Sequence, residues 1–239
     1  MTRARGRLGR TSASVRRRIG ARRSEQLGYL FIMTYGRSGS TLVQGILNSI
    51  PGYLIRGENR DALHHLFAYH QTLVKEAARV TREDGSRLPV THPFYGMDDF
   101  SAELSLDRIR RLATATVLRP EPGTRVTGFK EIRWYQKDLQ EYVAFLRAVF
   151  PGARFIVNTR DHEAVLASKF WRNRPRDGRL ERNEESILEV AGGLGDDAFH
   201  VHFDDYVRDP ASLAALFEWL GEPFDEVAVR DVMTVKHSY

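Results

Sequence analysis

The chain contains no cysteine anywhere in its 239 residues. Disulfides, thiolate nucleophiles and cysteine-held metals are therefore excluded. A cysteine-dependent phosphatase, which would also grip an oxyanion, falls with them. Long apolar runs are missing too: none approaches the length of a bilayer span, and the start lacks the apolar stretch of a secretion signal. The expected location is the cytoplasm. Acid is absent from residues 1–24, which hold nine arginines. The overall net charge of +5 lies in this stretch, and setting the nine aside leaves about −4 for the remainder. A segment so poor in apolar residues cannot build a core, so it reads as a disordered basic tail able to contact anionic surfaces. No specific nucleic-acid partner is expected.

What remains, residues 25–239, has the size and the balance of apolar (42%) and charged (28%) residues of one soluble domain. Strand patterns at 29–33, 53–56, 125–130, 154–159 and 199–203 alternate with helical ones. The helical patterns fall at 40–50, 63–80, 106–118, 139–150, 162–170 and 209–220, with an arginine-rich loop at 172–183. This order predicts an α/β fold: a P-loop-like, three-layer arrangement with a mostly parallel, about five-stranded sheet and helices on both faces.

The chain is organised around Tyr29-Leu-Phe-Ile-Met-Thr-Tyr-Gly-Arg-Ser-Gly-Ser-Thr41. A continuous apolar run suits a strand buried on both faces. Gly36 and Gly39 allow a tight turn, and Ser40 and Thr41 open a helix whose free N–H groups favour an anion. Arg37 adds a full charge, and Ser38, Ser40 and Thr41 add hydroxyls. Together they predict a phosphate or sulfate cradle; the bland alternative is a tight turn without a ligand. It is not a Walker loop, being two residues shorter and carrying Arg37 ahead of the second glycine instead of a lysine before the hydroxyl.

In open α/β sheets ligands sit beyond the carboxyl ends of the strands. Four strand candidates end there in charge: Arg37, Glu58, Lys130 and Arg160. Ser168 follows Arg160 by eight residues, a spacing that puts a guanidinium at a helix start and a hydroxyl two turns along, suited to clasping a phosphate.

Thr34-Tyr-Gly-Arg-Ser-Gly-Ser-Thr41 resembles the 5′-phosphosulfate loop of sulfotransferases, in the form of the bacterial and carbohydrate-directed branches. Phe155-Ile-Val-Asn-Thr-Arg-Asp161 with Ser168 is similar to their 3′-phosphate motif. Gly128-Phe-Lys-Glu-Ile-Arg-Trp134 and the stretch from Phe203 to Gly221 resemble further parts of the same family, over roughly 28–235. The resemblance implies 3′-phosphoadenosine 5′-phosphosulfate as co-substrate, cradled by Gly36, Arg37, Ser38, Gly39, Ser40 and Thr41 and held by Arg160 and Ser168. It implies transfer to a hydroxyl of a carbohydrate, lipid or small metabolite. Two features depart from the cytosolic family: Arg37 replaces the loop lysine, and the C-terminal R-K-G segment is absent, with Lys236, His237 and Ser238 standing nearby.

Sulfuryl transfer is an in-line displacement in which charge builds on the leaving oxygen. Arg37 and Lys130 are the candidates to stabilise it. Three residues compete as general base: Glu131, which strand alternation should turn away from Lys130; His92, in an irregular segment read as a lid or a wall of an acceptor pocket; and Glu58, which matches the base of carbohydrate sulfotransferases by position. The bland alternative for Glu58 is pairing with an arginine such as Arg56. His200 and His202 share a strand face but lack a third ligand, so no metal is expected. A P-loop kinase and a non-enzymatic anion-binding protein are the other classes left open. Because no motif lies in residues 1–24, a protein starting at Ser24 should fold and turn over like the full chain, and lost turnover in a steady-state assay would contradict this.

Overall fold

The computed structural model describes residues 27–173 and 175–235. The basic stretch 1–24 and the cluster Lys236, His237 and Ser238 lie outside the described residues. The strands are β1 (Gly28–Met33), β2 (Tyr53–Arg56), β3 (Val126–Glu131), β4 (Arg154–Thr159) and β5 (Ala198–His202). They form one sheet in the order β2-β3-β1-β4-β5, and every neighbouring pair is parallel. The expected mostly parallel sheet is thus parallel throughout.

Strand alternation divides the apolar residues between two cores. Phe31, Met33, Phe155 and Val157 point to one face; Leu30, Ile32 and Ile156 point to the other. The first face is covered by α2 (Ala62–Val80), α3 (Ala102–Ala113), α4 (Leu139–Val149) and α7 (Arg179–Gly192). The second is covered by α1 (Ser40–Asn48), α8 (Phe203–Arg208), α9 (Ala214–Leu220) and α10 (Glu226–Thr234). The short helices α5 (His162–Leu166) and α6 (Lys169–Arg172) follow β4. Among the described residues no helix is long and apolar enough to cross a membrane.

β1 sits at the centre, so the chain moves to one side of it through β2 and β3 and to the other through β4 and β5. The carboxyl end of β1 is the switch point, where such sheets open a crevice.

Four expectations need correction. The loop at 172–183 ends early, because Leu180, Ile187 and Ala191 give α7 a buried stripe that its charged residues obscure in the sequence. The helix at 162–170 is two pieces: Ser168 is extended (φ −68°, ψ 154°), and its carbonyl starts α6 by accepting Trp171 and Arg172 N–H. Phe203 opens α8 rather than closing β5. The segment holding His92 contributes no residue to the cleft at the carboxyl edge of the sheet. Phe94 lies under the Arg79 guanidinium, 4.6 Å from ring centre to Cζ. Arg79 is near the end of α2, about 25 Å along the helix axis from its site-facing start at about 1.5 Å per residue.

Gly128 on β3 faces the β1 backbone: a Cβ there would fall 1.6 Å from the Leu30 carbonyl oxygen. Backbone cannot move aside as a side chain can. Gly128→Ala should cost about 3 kcal/mol of stability, read as a lower urea midpoint at unchanged slope.

Candidate active site

The turn after β1 is shaped by two residues in the left-handed region, Arg37 (φ 73°) and Gly39 (φ 82°). Glycine is required at 39 twice over, since a Cβ would also fall 2.0 Å from the Phe203 ring. At Gly36 it would meet the Phe170 ring at 2.7 Å. The two rings therefore flank the turn, and neither was marked as functional by any motif. Below the turn lies a knot of buried polar groups. The Thr34 hydroxyl bonds both the Asn158 carbonyl (2.7 Å) and the Ser38 hydroxyl (2.6 Å). Asn158 Nδ2 donates to the Ser38 carbonyl (2.9 Å), and the Tyr206 hydroxyl donates to Asn158 Oδ1 (2.9 Å). Ser38, expected among the anion donors, is thus turned inward with its side chain fully buried. Its hydroxyl and carbonyl help hold the turn's shape.

The second motif closes onto the first. Arg160 Nη1 donates to the Arg37 carbonyl (3.2 Å), and its guanidinium lies over the Phe203 ring at 4.4 Å. Trp171 Nε1 donates to the Gly36 carbonyl (2.9 Å). The Tyr35 hydroxyl accepts from Arg160 N–H (2.9 Å) and also reaches Glu184 on α7. Burial, and then the bond to Glu184, push this phenol far above its usual range, so it stays a neutral donor. Asp161 caps α5 by accepting Ala164 N–H (2.8 Å), as the sequence suggests. Two buried polar atoms here have no partner: Arg160 Nε and Ser168 Oγ. A guanidinium N–H and a hydroxyl left without acceptors suit an anion.

Arg37, Glu58, Lys130 and Arg160 all line one cleft of about 740 Å³, with Gly36, Gly39, Ser40 and Thr41 of the turn. The structure thus brings together the four strand-end charges. Ser38 and Ser168 stand behind the surface. Leu42, Ile132, Val207, Met233 and Val235 form apolar walls to which the sequence gives no role in the site, three of them from α8, the end of α10 and the residue just past it. Glu58 does not pair with Arg56, whose guanidinium instead donates to the Leu118 and Arg119 carbonyls. It takes Lys130 Nζ at 2.6 Å, with Arg133 Nη1 at 3.7 Å. Arg133 lies within the stretch Gly128 to Trp134, but nothing in the sequence gives it a role in the site. Glu131 faces away from the cleft, as alternation requires, and is 2% exposed.

His200 and His202 share the Thr159 hydroxyl, at 2.7 and 2.9 Å, and His202 also meets Asp204 at 3.3 Å. Burial, and then the neighbouring His202, lower the His200 pKa from its usual value. Among the described residues no group of three such side chains is placed to hold a metal.

A parallel sheet opening at β1, a short glycine turn onto a helix start, and a second anion clasp after β4 define a nucleotide-type transferase site. A sequence profile of the sulfotransferase family matches residues 30–226, and the chain belongs to that family. Its members are transferases that use 3′-phosphoadenosine 5′-phosphosulfate. The fold is shared with the sulfotransferase domain of the olefin synthase of Synechococcus PCC 7002. That likeness has 21% identity and a TM-score of 0.56, over 88% of this chain and 78% of that one. Sulfotransferase STF9 of Mycobacterium avium aligns with 15% identity and a TM-score of 0.46, over 93% of this chain and 71% of that one. No curated protein sequence matches the chain.

Arg160→Ala should weaken binding of adenosine 3′,5′-bisphosphate by about 2 kcal/mol, roughly thirtyfold, the usual worth of a charged hydrogen bond. Titration calorimetry on the folded variant measures it, and unchanged affinity would remove Arg160 from the 3′-phosphate site.

Proposed function

We propose that this sulfotransferase moves a sulfuryl group from 3′-phosphoadenosine 5′-phosphosulfate to a hydroxyl of a carbohydrate, lipid or small metabolite in the cytoplasm. The observation that carries this reading is the placing of Glu58 beside Lys130 (2.6 Å) in the cleft that Arg37 and Arg160 also line. The unpartnered Arg160 Nε and Ser168 Oγ supply the fit for the 3′-phosphate. The turn's amides and the start of α1 receive the 5′ end, with Ser40 and Thr41 at the rim.

In this reading the co-substrate supplies the activated sulfuryl group. The acceptor oxygen forms a bond to sulfur as the bond from sulfur to the phosphate oxygen breaks. The acceptor's proton passes to Glu58, and adenosine 3′,5′-bisphosphate leaves with the electron pair. Lys130 holds Glu58 in place, then faces the charge that grows on the leaving oxygen together with Arg37. Positioning and cationic stabilisation are the main contributions, with Lys130 on β3 and Arg37, Glu58 and Arg160 in the segments that follow β1, β2 and β4.

Glu58→Gln keeps the shape and removes the base. Turnover should fall about a hundredfold while bisphosphate affinity stays within about twofold. Steady-state rates and calorimetry read the two quantities, and turnover within a few-fold of the unaltered enzyme would move the base elsewhere.

A further inference from the structure

Glu131 is a buried carboxylate at the end of β3 that the proposed chemistry does not use. Its two oxygens receive four donors. Oε2 accepts the backbone N–H groups of Asn59 and Asp61, both at 3.1 Å. Oε1 accepts Ile132 N–H at 2.8 Å and Arg133 Nη1 at 3.1 Å. Three of the four are amides, and they come from two different loops. One loop follows β2 and carries Glu58; the other follows β3 and carries Arg133.

The β2 loop needs such a hold. Arg60 (φ 56°) and Asp61 (φ 68°) are consecutive non-glycine residues in the left-handed region. Each such residue is disfavoured and persists only where its surroundings over-determine it. The amides on either side of Arg60 both end on Glu131. Two further bonds lock the same loop: Gln136 Nε2 donates to the Asp61 carboxylate (2.9 Å), and Asn59 Oδ1 accepts Ala62 N–H at the start of α2 (2.9 Å). Arg133 is held at 3.1 Å by Glu131 and lies at 3.7 Å from Glu58.

From this geometry we infer that Glu131 is a positioning residue for sulfuryl transfer: its carboxylate fixes the strained β2 loop so that Glu58 is presented to Lys130 and to the acceptor. The inference rests on Glu58 being the group that takes the acceptor's proton. Glu131 itself touches neither substrate. Its charge and its shape both matter, because each oxygen is used twice as an acceptor. A glutamine there, in either orientation, would turn its NH₂ toward two other N–H donors. An aspartate would be a methylene too short to reach both loops.

The test compares Glu131→Gln, Glu58→Gln and the double variant, each by turnover and by calorimetric affinity for adenosine 3′,5′-bisphosphate. Glu131→Gln should lower turnover by about tenfold or more and leave bisphosphate affinity within about twofold, because the clasp at Arg160 is built from other elements. In the double variant, turnover should stay within about twofold of Glu58→Gln alone, since both changes disable one device. Turnover of Glu131→Gln within about threefold of the unaltered enzyme overturns the inference while leaving Glu58 in place. A further loss of about tenfold on top of Glu58→Gln also overturns it, by showing an effect that does not pass through Glu58. If Glu58→Gln alone keeps full turnover, the base assignment fails on its own measurement and this inference falls with it. Hydrogen exchange on the unaltered protein covers the case in which Glu131→Gln does not fold. The Asn59 and Asp61 amides should exchange as slowly as those of the sheet, and exchange at the rate of an open loop overturns the inference.

Discussion

Two left-handed residues in one turn, Arg37 and Gly39, are the constraint on which the rest of the site depends. Only with the backbone reversed there does the chain leave β1 and enter α1 with its first N–H groups open to the cleft. An arginine in that region costs of order 1–3 kcal/mol, which the surroundings must hold against. They do so from both flanks. Thr34, Ser38 and Asn158 bind the turn from below, and Trp171 holds the Gly36 carbonyl. The Phe203 ring occupies the space that any side chain at 39 would need.

The polar groups near the turn fall into two kinds, and the difference separates architecture from binding. Thr34, Ser38 and Asn158 are all fully buried, and each has partners. Buried and satisfied, they make one arrangement of β1 against β4 strongly preferred. Arg160 Nε and Ser168 Oγ are buried and unsatisfied. Such atoms cost about 1–3 kcal/mol each when no partner arrives, and in the proposed reading the acceptor oxygens of the 3′-phosphate are that partner.

The sheet and the turn were legible in the sequence because their signals are local. An apolar run such as Tyr29 to Met33, then glycines, then Ser40 and Thr41, has few other physical readings. The gathering of Arg37, Glu58, Lys130 and Arg160 followed from topology, since parallel strands deliver their carboxyl ends to one edge. Where the reading missed, the deciding signal was not local. Ser38 looks like a donor until Thr34 and Asn158 are seen to claim it. Helix α7 carries six charged residues among its fourteen, and its three buried residues reveal the face it packs. Phe170 and Phe203 flank the turn through tertiary packing that no spacing announces. The segment around His92 had no periodicity to place it, and it went with the far end of α2.

In the proposed mechanism the Lys130–Glu58 pair serves two stages of the reaction. The Lys130 side chain is 7% exposed, whereas that of Glu58 is 34% exposed. A buried ammonium needs an anion beside it, and before chemistry that anion is Glu58. Once Glu58 has taken a proton, its hold on the ammonium weakens, and the charge growing on the leaving oxygen is the next anion within the same cleft. The lysine's preference for a partner then works toward the transition state rather than the resting enzyme. Such an exchange needs Glu58 to remain in register while its charge disappears. The backbone on which it stands is therefore best tied by a group that faces away from the acceptor, and Glu131 occupies that place behind the loop.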